Sequence, residues 1–154
     1  RPGDQVMVTG RLGGSIRGRH LCFTPRIREA LFLSSRFLPH AMIDLSDGLS
    51  LDAARIARAS GVGMILTAEQ IPRAAAAGSL AHALHDGEDF ELLFTIAPAR
   101  AARLLGAWHR YFRTPLHRIG EVTSGGGVFL KQGSRVRPLT AAGFLHFSRR
   151  KSVV

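Results

Sequence analysis

The chain has 154 residues, 45% of them hydrophobic, a formal net charge of +10 and a single cysteine, Cys22. That length and apolar content suit one domain with a substantial core. No apolar run approaches the roughly 20 residues needed to span a bilayer, and one cysteine excludes an intramolecular disulfide. The expectation is therefore a protein of a reducing compartment, the cytoplasm, with no membrane segment, in which Cys22 is a small half-buried apolar residue.

In chain order, Arg1-Pro2-Gly3-Asp4 forms a turn leading straight into a strand, Gln5–Thr9, as if the chain were cut from a longer one. Gly10–Gly18 is a glycine-rich loop, but it lacks the G-x-x-x-x-G-K-[ST] pattern of a P-loop. Thr24-Pro25 reads as the N-cap and first residue of a helix with Ile27, Leu31, Ser34 and Leu38 on its inner face. A short strand, Ala41–Asp44, follows. The next helix, Leu49 to Ser60, turns Leu49, Ala53, Ile56 and Ser60 inward and stops at Gly61. Val62–Thr67 is another buried strand.

Residues 69–84 are alanine-rich and broken by Pro72 and Gly78, which predicts short helical pieces. Asp89–Ile96 alternates, with Phe90, Leu92, Phe94 and Ile96 on one side and Asp89, Glu91, Leu93 and Thr95 on the other. Pro98 opens a helix that buries Ala101, Leu104, Leu105 and Trp108. Arg118–Val122, Val128–Lys131 and Arg135–Arg137 are strands joined by Gly-rich turns. Strands and helices interleave, which predicts an α/β fold: a mixed β-sheet covered by helices. It contains the Val6, Ile43, Ile65, Leu92 and Ile119 segments, with helices 25–38, 49–60 and 98–109 packed on it.

The charge is unevenly spread. Nineteen of the 21 basic residues are scattered arginines, whereas eight of the 11 acids lie between Asp44 and Glu91, opposed there only by Arg55, Arg58 and Arg73. An acidic island in a basic body suits a cation site beside a phosphate-binding surface. General basicity also attracts nucleic acid without specificity, but no zinc-finger or aromatic RNA-binding signature supports a specific version.

Two clusters inside the island carry chemistry. In Ala41–Leu49 an apolar strand ends at Asp44, and Ser46-Asp47-Gly48 opens a helix. Helix N-termini present amide hydrogens and a favourable dipole to anions, and carboxylates hold hard cations such as Mg²⁺. The alternative is that Ser46 or Asp47 simply caps the helix. A calcium loop fails at Ser46 and at Arg55, where a bidentate Glu belongs. The second cluster, Asp86-Gly87-Glu88-Asp89-Phe90-Glu91, packs four carboxylates into six residues. Such crowding calls for a metal, a cationic substrate or nearby arginines, unless the segment is a solvated acidic turn. His82 and His85 lack a third ligand for zinc.

Taken in order, several stretches resemble the C-terminal domain of the thiamine-monophosphate kinase family, relatives of aminoimidazole ribonucleotide synthetase and selenophosphate synthetase. They are Gly3–Gly10 with Leu12-Gly13, Thr24–Ile27, Ala41–Leu49, Gly87–Phe94, Ile119-Gly120-Glu121 and Gly143-Phe144-Leu145-His146-Phe147. The resemblance implies the C-terminal fold of aminoimidazole ribonucleotide synthetase over residues 1–154 as a single domain. It also implies an ATP- and Mg²⁺-dependent kinase that converts thiamine monophosphate to thiamine diphosphate. Asp44 and Asp47 would then be catalytic metal ligands, Ser46 would contact ATP, and Glu88 and Phe144 would contact the thiamine substrate. The family's N-terminal ATP-binding domain would be the missing partner, with a homodimer possible and the isolated fragment inactive. The sequence departs from the family pattern at Gly14, Asp86 and Leu145. A diverged member binding another phosphorylated ligand, or a basic nucleic-acid-binding module, are the alternatives.

Overall fold

The computed structural model describes residues 1–141. Its elements are β1 (Gln5–Thr9), α1 (Ile27–Arg36), β2 (Ala41–Asp44), α2 (Leu49–Ser60), β3 (Gly63–Thr67), α3 (Leu80–His85), β4 (Leu92–Ile96), α4 (Pro98–Trp108), β5 (Leu116–Thr123), β6 (Gly127–Gln132) and β7 (Arg135–Pro138). The strands form one seven-stranded sheet in the order β2-β4-β1-β5-β3-β6-β7. The β3–β6 pair is parallel and the other pairs are antiparallel. The mixed sheet with covering helices is as expected, and short helical turns occupy the alanine-rich segment.

The period of two along each strand divides the core between the sheet's faces. Val6, Val8 and Leu93 pack on one face with Leu49, Ala53 and Ile56 of α2 and Ala83 and Leu84 of α3. Met7, Leu92, Phe94 and Ile96 pack on the other with Leu33 of α1 and Ala101, Leu104 and Trp108 of α4. With helices on both sides, β4 is buried along its whole length. It is also shorter than expected: Asp89–Glu91 do not join the strand, and Phe90 takes a left-handed φ of 51°.

Five sequence expectations are corrected. Helix α1 starts at Ile27, not at Pro25, and no side chain caps it. Its inner face carries Glu29, Leu33 and Phe37, while Ile27, Leu31, Ser34 and Leu38 are exposed. The face turned inward is the one that meets α4 and the sheet through Leu33 and Phe37. Ser60 is exposed at the last turn of α2, and Leu105 is 37% exposed because the sheet reaches only the Ala101–Leu104–Trp108 stripe. Cys22 is exposed beyond a short 3-10 turn.

Trp108 anchors the α1/α4 side. It is fully buried, its indole N–H donates to the Thr114 carbonyl at 2.6 Å, and its ring lies 4.5 Å from that of Phe112. Replacing it leaves a cavity that this aromatic cluster fills only in part. Trp108→Ala should lower the unfolding free energy by about 3–5 kcal/mol. The measurement is a urea titration, read as a lower midpoint at an unchanged slope.

Candidate functional site

Beyond the end of β2 the chain runs beside the acidic turn. Leu45 N–H donates to Glu91 O at 2.8 Å, Phe90 N–H to Leu45 O at 2.8 Å, and Glu88 N–H to Ser46 O at 2.7 Å. These main-chain bonds bring the Asp44–Gly48 corner and the Asp86–Glu91 turn together. The turn is tightly wound: Gly87, Glu88 and Phe90 all have positive φ, at 71°, 53° and 51°. Two non-glycine residues in this region mark a segment held by its surroundings.

Asp44 is exposed and makes no ion pair among the described residues. The half-buried Asp47 pairs with Arg55, which also grips the buried carboxylate of Asp52. The Asp47 amide in turn donates to Asp52 Oδ2 at 3.1 Å. Burial pushes the Asp52 carboxyl up, against the pull of Arg55. Helix α2 opens at Gly48 (φ 108°) without a side-chain cap, so neither Ser46 nor Asp47 is the N-cap. Ser46 is half-buried, with its carbonyl engaged by Glu88. Glu88 is half-buried, with His20 Nε2 3.9 Å from its carboxylate. Phe144 lies outside the described residues.

The other acids of the turn do not form a solvated loop. Glu91 is 1% exposed and accepts from Thr9 Oγ1 (2.8 Å), Arg19 Nη1 (3.1 Å), Arg26 Nε (2.8 Å) and Arg26 Nη2 (2.9 Å). Asp89 is 2% exposed, with Gly13 N–H at 2.9 Å from Oδ2 and Arg19 Nη2 at 3.2 Å from Oδ1. Asp86 accepts from Gly14 N–H at 3.0 Å and contacts His82. Nearby arginines and the amides of the glycine-rich loop therefore relieve the crowded carboxylates. Glycine is needed at two of these points. A Cβ at Gly10 would run into the Glu91 carboxylate, and one at Gly13 would lie 2.7 Å from the Ala83 nitrogen.

Sequence reasoning singled out Asp44, Ser46, Asp47 and Glu88, and the fold gathers them into one region. It missed Arg19, Arg26 and Arg55 as partners. Among the described residues no group of three or more His, Cys, Asp or Glu side chains is placed to hold a metal ion. No helix there is long and apolar enough to cross a membrane.

Burial raises the Asp89 pKa from 3.8 to about 6, against the lowering effect of the Gly13 amide and Arg19. An acid whose folded pKa exceeds its unfolded value keeps its proton longer in the folded state. Its contribution to stability therefore falls as pH rises from about 4 to about 6 and is level above that. Urea unfolding of the wild type and Asp89→Asn over this range checks the sign. The difference should move against the wild type up to about pH 6 and then hold constant.

A thiamine-monophosphate kinase of Rhodopirellula baltica is 39% identical over 155 residues, covering 94% of this chain and 48% of the relative. The crystal structure of thiamine-monophosphate kinase from Stenotrophomonas maltophilia K279a matches with a TM-score of 0.75 at 30% identity, over 84% of this chain and 50% of that one. The structure of AaThiL complexed with AMPPCP and TMP matches with a TM-score of 0.68 at 27% identity, over 96% of this chain and 52% of that one. The chain spans about half the length of the curated relatives it matches. Residues 5–132 match the family described as AIR synthase related protein, C-terminal domain, and the chain belongs to that family.

Proposed function

We propose that this chain is the C-terminal half of an ATP-dependent kinase that converts thiamine monophosphate to thiamine diphosphate with Mg²⁺. One observation carries the reading: three main-chain hydrogen bonds join the Asp44–Gly48 corner to the Glu88 turn. That junction sets oxygen donors beside an open helix N-terminus and a second carboxylate. The similarity to thiamine-monophosphate kinases favours this reading over a nucleic-acid-binding module. The AaThiL complex with AMPPCP and TMP supports ATP and thiamine monophosphate as the reactants. The cytoplasm is the proposed location, which suits an exposed free thiol at Cys22.

The donor chemistry fits magnesium. This ion binds through one or two protein carboxylates and completes its shell with water and substrate phosphate, so a full protein cage is not required. Asp44 is ready for that role. Asp47, paired with Arg55 here, would supply the second carboxylate, and Asp52 holds the Asp47 amide. The first amides of α2 then orient phosphate oxygens, aided by the helix dipole, and the Ser46 hydroxyl contacts ATP. Glu88 faces the cationic thiamine; Phe144, the other residue the resemblance assigns to thiamine, lies outside the described residues. When bound, Mg²⁺ neutralises charge on the phosphates and lines up the transfer. The remaining part of the site belongs to the proposed N-terminal half.

In the full-length protein, Asp44→Asn should lower kcat at saturating ATP by roughly a hundredfold or more. Steady-state turnover of thiamine monophosphate at fixed Mg²⁺ measures it, and unchanged turnover would leave Asp44 without a catalytic role. The isolated chain should fold but make no thiamine diphosphate, because half a site cannot hold both phosphates in line. A kinase assay of the purified fragment, with and without the N-terminal half added in trans, tests this. Robust turnover by the fragment alone would place the ATP site within it.

A further inference from the structure

The peptide unit between Ser46 and Asp47 is held from both sides. Its carbonyl, on Ser46, accepts from the Glu88 amide at 2.7 Å, and its N–H, on Asp47, donates to Asp52 Oδ2 at 3.1 Å. In a planar trans peptide these two groups point in opposite directions, so bonds to both stop the plane from turning. The acidic turn supplies one of them. The other comes from Asp52, in the first turn of α2.

Asp52 also reaches the far end of the same residue. Its Oδ1 accepts from Arg55 Nη1 at 2.5 Å, and Arg55 Nη2 pairs with Asp47 Oδ2. Asp47 is therefore fixed at its amide and at one carboxylate oxygen, while its Oδ1 has no partner among the described residues. The usual fastening at a helix start, a side chain on the N-cap residue, is absent. Gly48 occupies that position with a φ of 108°, and a Cβ there would lie 3.2 Å from the Leu84 carbonyl oxygen. Asp52 is fully buried, and a carboxylate withdrawn from water needs donors in its place. The donors it finds, the Asp47 amide and Arg55, both lead to Asp47.

We propose that Asp52 is a positioning residue for the corner: through the Asp47 amide and Arg55 it sets the direction of the Asp47 carboxylate, leaving Oδ1 for the divalent cation. The proposal rests on the kinase reading for the identity of that cation as Mg²⁺.

The test uses Asp52→Asn and Arg55→Lys in the full-length protein. Asp52→Asn keeps the shape but leaves one acceptor oxygen for two donors. Arg55→Lys keeps the charge but loses the planar fork that spans two carboxylates. Calorimetric titration with Mg²⁺ in the presence of AMPPCP reads the ion directly, and Asp44→Asn identifies the part of the heat that belongs to the corner. Both variants should raise the Kd of that part about tenfold, as loss of a partner to a metal ligand does. The KM for Mg²⁺ should rise in parallel, with kcat at saturating Mg²⁺ and the KM for thiamine monophosphate within about threefold of wild type. Binding unchanged in Asp52→Asn makes the residue purely structural and overturns the proposal, whatever happens to the urea midpoint. Binding unchanged in Arg55→Lys overturns it as well, because weakening confined to Asp52→Asn reports only the lost charge. Should Asp52→Asn fail to fold, Arg55→Lys decides alone. A wild type that makes no thiamine diphosphate, yet shows the paired loss of Mg²⁺ binding, supports the positioning role and overturns the kinase reading. Normal turnover with Mg²⁺ binding unchanged in the variants does the reverse. An isotherm that Asp44→Asn leaves unaltered overturns the metal corner and the proposal with it.

Discussion

A carboxylate taken out of water is tolerated only where donors replace its hydration, and Glu91 is the case around which this fold is organised. Its oxygens accept from a threonine on β1, from Arg19 after the glycine-rich loop and from Arg26 at the start of α1. One side chain thus ties three distant stretches of sequence to the turn that precedes β4. Asp89 does the same for the loop amide of Gly13. The same stretch is also anchored by Leu12, which is fully buried and bonded through its main chain to Pro72 and Ala74, whereas Leu21, Phe23 and Ile27 are exposed.

This arrangement separates buried, hydrogen-bonded carboxylates from accessible ones within a single acidic cluster. Asp89 and Glu91 are consumed by the scaffold. Asp44 and Glu88, set next to them by main-chain hydrogen bonds, keep their carboxylates on the accessible side. Asp47 is intermediate, held by an arginine that also steadies the buried Asp52. The strained backbone at Glu88 and Phe90 belongs to the same division of labour. The buried acids on either side fix the turn, and the turn then presents residues that the scaffold does not need.

The position of β2 at the sheet edge has a similar consequence. An edge strand leaves one row of side chains without a covering helix, and here that row carries Met42 and Asp44. The corner therefore meets open surface on the side of α1 and an uncapped helix on the side of α2. The chain that presents this corner spans about half the length of the curated relatives it matches.

The sequence by itself determined the class of fold, because periods of 2 and 3.6 are local properties and alternate clearly along this chain. It also marked Asp44, Ser46, Asp47 and Glu88, since short motifs at a strand–helix junction and an acidic turn are visible without knowledge of contacts. It misjudged the faces of α1, the start of β4 and the caps of α1 and α2. These depend on which surface a neighbour covers and on bonds from residues far away in the chain. Only the tertiary structure decided which acids are structural. Glu91 and Asp89 look no different in sequence from Glu88, and the distinction arises from arginines and glycine amides more than 60 residues away. Long-range pairing of charge leaves no periodic trace, so composition could demand counter-charges for the cluster but could not name them.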